Sequence, residues 1–212
     1  FKTRASYTLN RMRYNFWGTP DASVSFCENK YVKYYWIAEY HNTISSFCYI
    51  FVGLMMMKTR LKFLGQLLCG VGIGAALLHA TLRHWAQMGD EISMLTLSFY
   101  SLMELRPRTS KYIIYPLVIS YCLFSRYFGI FFITFTGLQL LIAKHARKKI
   151  NSKNKKYILL YFICFITGTF CWLLDQFCKT KYGGILEPFQ FHAWWHILTA
   201  SAMGFGYYAL KD

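Results

Sequence analysis

His192 and His196 stand four residues apart in the stretch FQFHAWWHIL (189–198). On a helix that spacing puts both imidazoles on one face, one turn apart. Two rings so placed can hold one Zn²⁺ through ring nitrogens, but a third protein ligand is still needed. His79, in GIGAALLHATLRHW, is the candidate, because it falls at the same expected depth in its own apolar segment. Three histidines with one open position make a site of the catalytic kind, where zinc brings the pKa of water down toward ~7. A second reading of the pair is interfacial, since Trp194 and Trp195 are residues of an aromatic belt. The other histidines fit less well. His145 lies in a basic loop, His84 sits five residues past His79 and off its helical face, and His41 is near the start of an apolar segment.

Carboxylates accompany these rings. Asp90 and Glu91, in GDEISML (89–95), are expected to open a helix. There they either favour the positive end of the helix dipole or act as a general acid or base beside a metal. Asp175, in WLLDQFC, falls inside an apolar segment, where an ionisable group must face a cavity or a partner. It would accept from a ligand imidazole or pair with a nearby basic or hydroxyl group. Glu39, in WIAEYHNT, together with Glu28 and Asn29 offers oxygens to a hard cation such as Ca²⁺; plain hydrogen bonding is the competing role.

The elements that must position these groups are membrane helices. Of 212 residues, 55% are apolar and 20% aromatic, while only 16% are charged, against about a quarter in soluble domains. The formal net charge of +15 would suggest nucleic acid in a soluble chain. Here the basic residues sit in runs between apolar segments, KTRLK, RPRTSK and KHARKKINSKNKK, as in loops facing anionic lipid. No nucleic-acid partner is expected. Segments long enough to span are expected near 35–57, 62–82, 91–105, 112–127, 128–144, 157–178 and 189–210, with six or eight spans as alternatives. The fold expected is therefore all-α: one integral membrane bundle of seven transmembrane helices over 35–212, preceded by a segment over 1–34. Counted with the basic residues at the adjoining span ends, the loops after the odd spans hold thirteen Lys or Arg, and those after the even spans four. The first set should be cytoplasmic, leaving the N-terminal segment lumenal and the C-terminus cytoplasmic. That segment is itself basic and has no apolar run, so insertion is expected to rely on the first span. The seven cysteines form no CxxC pair. Cys27 and Cys178 lie at element ends on the same side, where they are either a disulfide or two free thiols.

Several stretches together resemble the alkaline ceramidase family: YNFWGTPDASVSFCENKY (14–31), WIAEYHNTIS (36–45), GIGAALLHATLRHWAQMGDEISML (72–95), LLDQFC (173–178) and FQFHAWWHIL (189–198). The likeness runs nearly from end to end, and over about 96–156 it is one of hydropathy alone. The resemblance implies a seven-helix amidase of the endoplasmic reticulum or Golgi that hydrolyses ceramide to sphingosine and a fatty acid. Its partners would be ceramide, related sphingolipids and the bilayer. It implies zinc on His79, His192 and His196, acid/base work for Asp90, and a Cys27–Cys178 disulfide. Calcium would fall at Glu28, Glu39 and the backbone carbonyl of Phe26. Three positions depart from the family pattern. Ala75 replaces a serine whose hydroxyl would help to hold the oxyanion, Ser25 replaces an aspartate, and Lys30 replaces an asparagine; the last two weaken the expectation of calcium. The alternatives are a receptor of the adiponectin-receptor type, and a homologue that binds sphingolipid without turnover.

Overall fold

The computed structural model describes residues 16–149, 154–177 and 183–210. Seven helices of ten or more residues are present among them: α1 (Tyr40–Met56), α2 (Lys62–Thr81), α3 (His84–Leu105), α4 (Ile114–Leu123), α5 (Phe128–Lys149), α6 (Lys155–Gln176) and α7 (Phe191–Leu210). There is no strand among the described residues, only an isolated bridge between Tyr34 and Ile37. The all-α bundle expected from the sequence is what the chain forms.

Polarity is arranged inside out. Helix α1 buries Asn42, Thr43, Ser45, Ser46 and Tyr49, while Ile44, Phe47, Phe51 and Leu54 are exposed. Helix α6 exposes Leu159, Ile163, Ile166, Phe170 and Leu173. Water would penalise that surface, whereas lipid tails solvate it. Helices α2, α5 and α6 are long and apolar enough to cross a membrane.

Helix α1 packs on α2 and α7, α2 on α3, α3 on α5, and α6 on α7. Small residues allow close approach where apolar burial alone gives helices no reason to associate. A Cβ on Gly65 would lie 2.6 Å from the carbonyl oxygen of Gly53 on α1. One on Gly74 of α2 would lie 2.7 Å from Cα and 2.8 Å from the amide nitrogen of Asp90 on α3. Gly74 thus lets the backbone of Asp90 sit against α2, one turn before His79.

The two ends of the bundle sort as alternating helices require. At one end, Arg60 of the α1–α2 loop donates to Glu104 Oε1 at 2.6 Å and to the carbonyl of Leu210, joining the ends of α3 and α7. At the other end lies the segment 16–39. Its Asp21 and Ala22 amides both donate to the carbonyl of Leu82 at 3.0 Å, and Leu82 makes the α2–α3 turn with φ of 52°. Asp21 Oδ1 accepts from the His84 amide at 2.8 Å. That bond lowers the Asp21 pKa, with Arg83 and Arg126 adding to it against some desolvation.

Helix α3 starts at His84, seven residues earlier than expected. The polar run HWAQMGD does not read as a span, yet it is helical because the N-terminal segment covers it. Gln87 is fully buried and accepts from the Ser23 amide at 2.7 Å. Asp90 and Glu91 therefore lie in the second turn, and the first turn has no acidic residue; the helix-dipole role is overturned. His84 is buried at the head of α3, with Nε2 at 3.1 Å from Ser125 Oγ. The expected span at 112–127 is a 3₁₀ turn, Lys111–Ile113, followed by the ten-residue α4. The first helix begins at Tyr40, not near residue 35.

Replacing Gly74 with alanine should drive α2 from α3, because the atoms met are backbone and cannot rotate away. A loss of about 1–3 kcal/mol is expected, read as a lower thermal midpoint in detergent. Gly70→Ala is the control, since its nearest contact would be Ser93 Oγ at 3.6 Å. Equal midpoints for the two variants would remove the packing argument.

Candidate metal centre

The end of α2 is held by the last residues of the N-terminal segment. The amides of Ala38 and Glu39 donate to the carbonyls of Ala80 and His79, each at 2.9 Å. This pairing sets Glu39, 0% exposed, beside His79, 1% exposed. Glu39 Oε2 lies 2.5 Å from His79 Nδ1. An ionised carboxylate can only accept, so Nδ1 carries a proton and Nε2 is the nitrogen turned to the cluster as the candidate metal ligand.

On α7 the i, i+4 spacing does what local geometry dictates, and both rings are buried. His196 Nδ1 is 2.8 Å from Ser45 Oγ on α1. The Ser45 and Ser46 hydroxyls donate to the Asn42 carbonyl at 3.1 and 2.8 Å. Their protons are thereby committed, so Nδ1 of His196 donates and Nε2 is again left with its lone pair. Nδ1 of His192 is buried and has no hydrogen-bond partner among the described residues. A buried polar atom without a partner calls for an explanation, and a metal ion supplies one.

The three rings converge. Centroids are 4.9 Å apart for His79 and His192, 5.0 Å for His79 and His196, and 4.7 Å for the α7 pair. One ligand atom from each lies within 4.8 Å of the others. Three buried imidazoles, two with their second nitrogens already engaged, fit a transition metal. The Phe26 ring covers the His192 and His79 rings at 3.9 and 4.7 Å.

A cavity of about 260 Å³ opens beside this cluster, lined by His192, His196, Asp90, Ala75, Trp195 and Phe131 among others. Asp90 is 8% exposed, and its Oδ1 is buried without a hydrogen-bond partner. Glu91 lines the same cavity and accepts from Gln87 Nε2 at 2.8 Å. Ala75 presents a methyl group there and no donor. A second apolar cavity, about 110 Å³, shares Tyr49, Val71, Met94, Phe165 and Trp195 with the first.

The oxygens expected at a calcium site are engaged elsewhere. Glu28 caps α1, accepting from the amides of His41 and Asn42 at 2.7 and 2.9 Å. Burial raises its carboxyl pKa, and those two bonds offset only part of the rise. The carbonyls of Phe26 and Glu28 accept from Lys30 Nζ at 2.8 and 2.9 Å, and Lys30 pairs with Glu39 Oε1. Ser25 is exposed. As they stand, these residues do not fit Ca²⁺.

One expectation on carboxylates needs revision. The carboxylate beside the His79 imidazole is Glu39, not Asp175. Asp175 accepts from the Cys27 amide with both oxygens at 3.2 Å and anchors the N-terminal segment to α6. Cys178 lies outside the described residues. Sequence reasoning missed Ser45, although its i−3 relation to Asn42 and its place on the polar face of α1 were signals for a buried role.

A lipid-facing helix bundle with three converged imidazoles and a buried carboxylate lining an adjacent apolar cavity defines a class: membrane proteins whose buried histidine cluster could hold a metal ion. The profile of the ceramidase family matches residues 18–211. A putative alkaline ceramidase of Dictyostelium discoideum is 28% identical over 243 residues, covering 86% of this chain and 83% of its own. The alkaline ceramidase of Arabidopsis thaliana is 28% identical over 205 residues, covering 86% and 80%. Alkaline ceramidase 3 of Mus musculus is 25% identical over 219 residues, covering 88% and 82%. The chain belongs to the ceramidase family, a family of amide hydrolases.

Changing Glu39 to glutamine removes the charge that fixes the His79 tautomer. Zinc affinity should fall roughly 10–100-fold, read by competition with a chromogenic chelator. Unchanged affinity would exclude the tautomer argument.

Proposed function

We propose that this chain hydrolyses the N-acyl amide bond of ceramide, releasing a sphingoid base and a fatty acid inside the membrane. The observation that carries the reading is the convergence of His79, His192 and His196 beside Asp90 at one apolar cavity. Zinc is the metal proposed, held by those three imidazoles; when bound it would polarise the amide carbonyl and make water a competent nucleophile near neutral pH.

The chain's own groups do the rest. Asp90 accepts a proton from the attacking water as its oxygen bonds to the acyl carbon. Asp90 then returns that proton to the leaving nitrogen as the C–N bond breaks, so one carboxylate serves as base and then as acid. Apolar walls around the cavity, Phe131 and Trp195 among them, bind hydrocarbon chains and exclude bulk water. The smaller adjoining cavity extends the same apolar lining for a second chain. Glu39 and Ser45 hold His79 and His196 in the tautomer that binds metal.

The finer expectations belong to the same proposal. Residence in the endoplasmic reticulum or Golgi, with the N-terminal segment lumenal and the C-terminus cytoplasmic, suits a site on the side away from the basic loops. A Cys27–Cys178 disulfide is supported by Asp175, which draws the Cys27 amide to within three residues of Cys178 in sequence. The family match over nearly the whole chain does not favour a receptor of the adiponectin-receptor type.

Purified wild-type protein should carry stoichiometric zinc and turn over a long-chain ceramide. The His192→Ala/His196→Ala variant should lose both, and turnover surviving in it would eliminate the proposed site. Ala75→Ser should raise kcat by up to ~10², the lower end of what one oxyanion donor contributes, with zinc content unchanged. No gain would mean that the missing hydroxyl does not limit the rate, and would dispose of Ala75 as the cause of any low activity.

A further inference from the structure

Lys30 is partly buried, its side chain 24% exposed, and its ammonium lies among oxygens. Nζ donates to the carbonyls of Phe26 and Glu28 at 2.8 and 2.9 Å and pairs with Glu39 Oε1. An ammonium has three N–H donors, and each finds one oxygen. The carboxylate it neutralises is fully buried, and its other oxygen accepts from His79 Nδ1 at 2.5 Å and Asn42 Nδ2 at 3.2 Å. A buried carboxylate without a positive partner would lose its charge or its position. The same cation also ties two carbonyls of the N-terminal segment into one cluster with the end of α2.

Two backbone carbonyls and a carboxylate directed at one positive charge are the donor set of a hard divalent ion. Here the charge is covalently attached, and Ser25, where the family pattern has a carboxylate, adds no further ligand. We propose that Lys30 is a tethered cation that takes the place of a divalent ion in this oxygen cage, and that it acts as a positioning residue for His79 through Glu39. The inference rests on His79 being a metal ligand. Its consequence is that assembly of the metal centre in this chain is independent of Ca²⁺.

The test uses the full chain in detergent, stripped of divalent ions, with zinc affinity and thermal midpoint each measured against added Ca²⁺. Wild type should show no response to Ca²⁺ in either readout. In Ser25→Asp/Lys30→Asn, which restores oxygen ligands and removes the tether, zinc affinity without Ca²⁺ should drop roughly 10–100-fold. It should recover as Ca²⁺ is added, and a purely structural lysine would give no such rescue. Lys33→Asn, which removes a lysine lying over the Tyr40 ring, should behave as wild type. If the double variant does not fold, Lys30→Arg keeps the charge and should stay Ca²⁺-insensitive, while Lys30→Met should lose zinc affinity. Wild-type affinity or stability that rises with Ca²⁺ overturns the proposal, as does a double variant with unchanged zinc affinity and no Ca²⁺ response. Should no variant bind zinc, the hydrolase reading fails, and the thermal midpoints with and without Ca²⁺ still decide the role of Lys30.

Discussion

The carboxylate of Glu39 is a negative charge with no access to solvent. Removing such a charge from water costs several kcal/mol even after relaxation. Lys30, His79 and Asn42 together offset that cost, and each contact constrains something else. Lys30 holds the loop that carries Phe26 over the histidine rings. His79 is held in the tautomer that leaves Nε2 for a metal. Asn42 begins the polar face of α1, whose serines orient His196. The geometry of the whole centre depends on this one buried charge being matched.

The membrane makes that match consequential. Apolar helix surfaces gain nothing from burying against each other when lipid is the alternative, so the bundle relies on close approach and on polar contacts inside. Gly65 and Gly74 provide the first, letting backbone meet backbone between α1 and α2 and between α2 and α3. The polar residues of α1, and Gln87 and Glu91 of α3, provide the second. Segment 16–39 closes this interior at one end. It supplies acceptors and donors to Leu82, His84, Gln87 and Asp175, groups that would otherwise be left unmatched in an apolar surround.

That segment also explains where hydropathy misled. HWAQMGD is too polar to read as part of a span, and the N-terminal segment meets it by pairing Ser23 with the buried Gln87 side chain and Asp21 with the His84 amide. The dipole role for Asp90 followed from the wrong start of α3 and fell with it. Glu39 was visible as an ionisable residue within an expected span, but its partner was not. A carboxylate near an asparagine and another glutamate suggests calcium, and the lysine that takes those oxygens was seen only as a departure from a pattern. Asp175 was rightly marked as a group in need of a partner, and that partner is a backbone amide 148 residues away in sequence.

What the residue order determined alone is what rests on local periodicity and composition. The all-α class, the apolar segments, the basic runs between them and the shared face of His192 and His196 all follow from composition and from spacing within a single segment. Tertiary structure decided which polar groups meet: His79 with the α7 pair, Glu39 with His79, Lys30 with Glu39, and Gly74 with the backbone of Asp90. Those pairings join segments far apart along the chain. Inside a bundle surrounded by lipid, each polar group is driven only to find some partner, and three-dimensional packing selects which one.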